Sequence, residues 1–163
     1  MKIANDILIP EIERLLKDGK EVRFTPSGVS MRPFIEGDRD SVILSSLTRS
    51  PRIGDILLVR LENKSPISNV QSPMPNVQSP MPPTFVLHRL VRIEGDTFVL
   101  QGDGNLCGEE RCGTSDIIGI VQRIETPSGR RKPLTRGRLW YHMRRWRWLL
   151  LKIYRHSILK WCY

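Results

Sequence analysis

The chain has 163 residues, a net charge of +9 and a moderate apolar content of 39%, the composition of one globular domain with room for a real core. No run of 18 apolar residues and no leader-like N-terminus occur, which excludes a strong transmembrane helix and a signal peptide and makes the cytoplasm the default compartment. Cys107, Cys112 and Cys162 are too few and too oddly spaced for a disulfide framework or a zinc site, so no metal and no cofactor is expected and the loop cysteines are read as reduced.

The charge is unevenly spread. Residues 1–129 hold 15 Lys+Arg and all 17 Asp+Glu, net −2, whereas residues 130–163 hold 11 Lys+Arg and no acid, net +11. The chain therefore divides into a near-neutral body, 1–129, and a basic tail, 130–163, whose sign points to a polyanionic partner.

Residues 6–18 carry Ile7, Leu8, Ile12, Leu15 and Leu16 at helical spacing, with Pro10 suited to a first turn and Gly19 to a stop. Short strand signals follow at Glu21–Thr25, Ser41–Leu44, Asp55–Leu61, Thr84–Ile93, Thr97–Gln101 and Ile117–Ile124. Gly/Asp turns punctuate them, and Glu94-Gly95-Asp96 reads as a hairpin turn. Many short strands with almost no internal helix predict a mainly β (α+β) domain.

Residues 63–83 break the pattern. They hold a tandem heptapeptide, Asn69-Val70-Gln71-Ser72-Pro73-Met74-Pro75 and again Asn76–Pro82. Two copies are too few for a solenoid. The segment reads as a lengthened hairpin loop, since doubling a flexible loop costs only about 0.6 kcal/mol; a proline-rich docking segment is the other reading.

Three stretches can carry chemistry. Ser27-Gly28-Val29-Ser30-Met31-Arg32-Pro33 sets a serine between a strand end and a turn. Such a stretch is often only a turn, but it can also aim a hydroxyl outward, and a serine needs a base beside it to attack. His88 lies mid-strand with Val86 and Leu90 on its face. It fits a satisfied core histidine, or a base that a dry wall keeps neutral. Asp103, in Gln101-Gly102-Asp103-Gly104-Asn105, fits a turn residue or the acid that receives a ring N–H and orients the base.

These blocks resemble the signal peptidase I and self-cleaving repressor superfamily of serine peptidases, the S24/S26 group. Ser27–Pro33 is similar to its Ser-Met-x-Pro nucleophile box. Gly54-Asp55-Ile56-Leu57-Leu58 is similar to its Gly-Asp-Ile/Val strand. Val86–Val91 and Gln101–Asn105 are similar to its base box and Gly-Asp-Asn box. Order and spacing agree over roughly residues 21–124.

The resemblance implies a signal-peptidase-like β fold and a serine endopeptidase with Ser30 as nucleophile, His88 as general base and Asp103 as the acid. Bacterial signal peptidases and the repressors place lysine at the base position; the archaeal and endoplasmic-reticulum types place histidine, as here. It further implies an oxyanion and substrate-binding region at Ser27, Gly28 and Met31 around the Ser30 N–H, with Arg89, Gly102 and Asn105 in support, and a groove that takes a peptide as an added strand. Val29 is an extra residue that shifts Ser27 relative to the bacterial pattern. The family's N-terminal membrane anchor and the repressors' DNA-binding domain have no counterpart in the residues before the first strand. The alternatives are a non-catalytic peptide-binding module and a regulator that binds nucleic acid through its tail.

Residues 136–163 interleave arginine, tryptophan and leucine without Gly or Pro after Gly137. They predict a basic amphipathic helix. An anionic membrane surface or a membrane protein is the first expected partner and nucleic acid the second, which would put the chain in the cytoplasm or at the inner membrane face. Packing of the tryptophans on the body is the remaining reading.

Overall fold

The computed structural model describes residues 5–61, 83–105, 107–134, 146 and 149–153. Helix α1 (Asn5–Lys17) leads into a sheet of eight strands: β1 (Val22–Phe24), β2 (Ser41–Ser45), β3 (Ile56–Leu61), β4 (Thr84–Glu94), β5 (Thr97–Gln101), β6 (Glu110–Cys112), β7 (Ile117–Glu125) and β8 (Arg131–Lys132). The order is β1-β2-β7-β3-β4-β5-β6, with β8 on β7, and every pairing is antiparallel. The mainly β expectation holds. Strands β6 and β8 are additions: the sequence around Cys107 and Cys112 reads as loop, and Arg131–Lys132, which pairs with β7, falls in the segment read as basic tail.

Helix α1 runs through Pro10 instead of starting there. Its buried stripe is Ile9, Ile12 and Leu16, while Ile7 is exposed. The spacing 9, 12, 16 keeps one helical face, and Ile7 points away from it. The helix ends in a Schellman pair, Gly19 N–H to Leu16 C=O at 3.0 Å and Lys20 N–H to Leu15 C=O at 3.0 Å, closed by Gly19 at φ 75°.

Alternation divides the core. Ile56 and Leu58 of β3 pack with α1, Met31 and Ile35 on one face of the sheet. Leu57 and Val59 face the other side with Leu90, Leu100 and Cys112. Full burial of side chains of this size contributes about 1.5–3 kcal/mol each, and on the first face Met31 and Ile35 tie the loop after β1 into that core.

Leu61 pairs with Thr84 at the end of the β3–β4 ladder. The repeat at 69–82 lies outside the described residues. Most of the tail expectation does too; Trp146 and residues 149–153 are helical, with Leu151 buried and Trp146, Leu149 and Ile153 exposed. No helix among the described residues is long and apolar enough to cross a membrane.

Candidate active site

Past β1 the chain turns at Pro26–Gly28. Gly28 sits at φ 93°, and a Cβ on Gly37 would stand 2.0 Å from the Gly28 carbonyl oxygen, so two backbone segments cross where only glycine fits. The next turn is rooted by Met31 and Ile35, both buried, whereas Val29 is 60% exposed. Ser30 lies between the anchored and the exposed residue. Its carbonyl accepts the Gly104 N–H at 2.7 Å.

His88 stands on β4 opposite Leu57 and is only 5% exposed. Ser30 and His88 line one cleft of about 120 Å³, together with Ser27, Gly28, Met31, Phe85, Val86 and Leu87. No hydrogen bond joins the two side chains across it.

The cleft runs along an open strand edge. Phe85, Val86 and Leu87 pair with Arg60, Val59 and Leu58 of β3 on one side. On the other side β5 begins its ladder only at Arg89, opposite Gln101. Among the described strands none pairs with residues 85–88 there.

Asp103 does not serve His88. Its two carboxylate oxygens accept from Arg89, Oδ1 from Nε at 2.8 Å and Oδ2 from Nη2 at 2.7 Å. The reason is strand alternation: His88 and Arg89 are neighbours in sequence and so face opposite sides of β4. A guanidinium only 2% exposed needs a fixed counter-charge, and Asp103 supplies it on Arg89's side. Arg89 Nη1 also donates to the Gly54 carbonyl at 2.7 Å, and its guanidinium lies 5.8 Å from the Phe34 ring centre.

Gly102, Gly104 and Asn105 form the turn around Asp103. A Cβ on Gly102 would stand 2.6 Å from the Ser30 carbonyl oxygen, and one on Gly104 2.9 Å from that of Val29. The two glycines let the Asp103 turn press against the serine loop. Asn105 closes the turn by donating its N–H to the Gly102 carbonyl at 3.1 Å. Gly54 and Asp55 close the far end, exchanging backbone bonds with Leu90 at 2.8 Å each. The Asp55 carboxylate accepts from Arg49 Nη1 at 2.7 Å and Nη2 at 3.0 Å.

The acid beside His88 is Glu110 of β6, whose Oε2 lies 2.8 Å from His88 Nδ1. No sequence motif singles it out. The available signal was the short run Glu110-Arg111-Cys112 after Gly108, which continues the hairpin pattern of the preceding strands.

Among the described residues no group of histidine, cysteine, aspartate or glutamate is arranged to hold a metal ion. No protein-family model, curated protein or solved structure matches the chain.

Proposed function

We propose that the chain is a serine endopeptidase of the signal-peptidase-like type, with Ser30 as nucleophile and His88 as general base. The carrying observation is that these two residues, one from a loop and one from a distant strand, line the same cleft.

The steps follow from the groups present. A peptide enters extended along the open edge of residues 85–88 and adds its backbone hydrogen bonds to β4. Ser30 Oγ attacks the scissile carbonyl carbon as His88 takes the hydroxyl proton. The carbonyl oxygen gains the charge, facing the Ser30 N–H and the Ser27 side of the cleft. The C–N bond then breaks, His88 returns the proton to the departing amine, and an acyl-Ser30 ester remains. Water, deprotonated by His88, hydrolyses that ester and restores the serine.

The cleft walls favour apolar substrate side chains, since Met31, Phe85, Val86 and Leu87 form them beside the two serines. The open edge would equally serve a peptide-binding module without catalysis.

Incubation with a library of protein-derived peptides, followed by mass spectrometry of new termini, separates the two. Cleavage by wild type that is absent from both Ser30→Ala and His88→Ala supports the peptidase. Retention of peptide by all three proteins, with no new termini, overturns it in favour of the binding module.

A further inference from the structure

We propose that Glu110 is the positioning residue for His88, fixing the ring in the tautomer that leaves Nε2 bare; the proposal rests on the peptidase reading above. An ionised carboxylate only accepts hydrogen bonds. With Glu110 Oε2 at 2.8 Å from Nδ1, that nitrogen must carry the proton of the neutral ring. Nε2 then holds the lone pair that a general base requires.

The sheet register explains why a residue two strands away does this. Leu90 pairs with Leu100, and Leu100 pairs with Glu110. The β5 ladder stops at Gln101, opposite Arg89, and the chain turns off through Gly102–Asn105. Nothing on β5 therefore stands opposite His88. The Glu110 side chain reaches across that vacant place.

Its neighbours are engaged elsewhere. Glu109 holds Arg92 at 3.0 Å, and Arg111 holds Glu94 at 2.6 Å. Glu110 is more enclosed than Arg111, with 24% of its side chain exposed against 59%. Leu57, Val86, Leu90 and Leu100 surround the histidine's side of the sheet. A hydrogen bond in such apolar surroundings is stronger than one in water and holds the ring firmly.

The alternative is that Glu110 merely satisfies a buried histidine nitrogen, and the two differ in what its removal does. The full-length chain is labelled with ¹⁵N-histidine, with His142 and His156 replaced by Gln, and studied at pH 8, where an ordinary histidine is neutral. Long-range ¹H–¹⁵N correlation is expected to show Nδ1 protonated and Nε2 bare. In Glu110→Ala the Nε2–H form should appear, and kcat on the peptide library should fall about ten- to hundredfold with KM within about twofold, part of what a positioned base supplies. Glu110→Gln, whose amide oxygen still accepts the Nδ1 proton, should recover the tautomer and part of kcat. Glu110→Asp, one methylene shorter, should recover neither.

An Nε2–H ring in wild type, or an unchanged tautomer in Glu110→Ala, overturns the proposal. An Nδ1–H ring in a wild-type chain that hydrolyses nothing overturns the peptidase reading instead, since the tautomer is read without substrate.

Discussion

Asp103 grips Arg89 through both carboxylate oxygens, at 2.8 and 2.7 Å, with the two side chains 3% and 2% exposed. The pair links β4 to the turn that supports Ser30. Removing one partner of a buried pair strands a charge and costs about 3–5 kcal/mol. Asp103→Ala should lose stability of that order in urea denaturation. The double variant Asp103→Leu, Arg89→Met should recover much of it. An Asp103→Ala protein of wild-type stability that has lost only activity would assign Asp103 to the chemistry after all.

Gly102 and Gly104 should tolerate no side chain. Gly102→Ala puts a Cβ against the backbone oxygen of Ser30, which cannot move aside as a flexible side chain would. Overpacking of this kind costs about 1–3 kcal/mol. The serine loop should shift with it, so hydrolysis should fall further than stability. Gly129→Ala serves as the contrast: no atom lies within 4 Å of its added Cβ, and its φ of 77° penalises only a surface turn. Equal effects of both substitutions on activity would refute the close approach as the reason for Gly102.

The described cysteines should differ in reactivity. Cys107 is exposed, while Cys112 is buried and its thiol is pushed up to about 11 by burial, with the Asp116 charge adding to it. The thiolate is the reactive form. At pH 8, iodoacetamide followed by peptide mapping should modify Cys107 quickly and leave Cys112 intact until denaturant is added. Early labelling of Cys112 in native protein would show that β6 opens readily, which would also loosen Glu110 two residues away.

Asp40 should contribute an acid-sensitive share of stability. Burial pushes its carboxyl up, but the hydrogen bonds from Arg39 and Lys132, the Glu36 N–H at 2.8 Å and the charge of Lys132 outweigh this and hold it below the ordinary aspartate range. A folded-state value below the unfolded one stabilises the protein above about pH 4, and the gain is lost as pH falls through the folded value. Asp40→Asn should be less stable than wild type at pH 7, with the gap narrowing at pH 3. A constant gap in denaturation midpoints across that range would contradict this.

Local pattern was enough for most of the sheet. The apolar runs in Ile56–Leu61 and Thr84–Glu94, set off by the Gly54-Asp55 and Gly95-Asp96 turns, mark two strands buried on both faces, and the structure follows them. The stripe of α1 was misread at Ile7 because apolar residues occur on both of its sides. The failure at Asp103 is of another kind. Spacing alone could not distinguish His88 from Arg89 as the acid's partner; that depends on which face each side chain takes. Glu110 was harder still, because its place beside His88 is set by where β5 stops and how three strands lie side by side.

The bond from Gly104 N–H to the Ser30 carbonyl has a consequence for the order of synthesis. Domains form as the chain leaves the ribosome, N-terminal residues first. Ser30 emerges early, but the turn at Gly102–Asn105 that braces it, the acid beside His88 and Lys132, which holds the Phe34 carbonyl at 3.0 Å, all come well after it in the chain. A half-made chain thus has its serine and no assembled cleft around it. The cleft is completed only after residues far beyond the serine in the chain have been made.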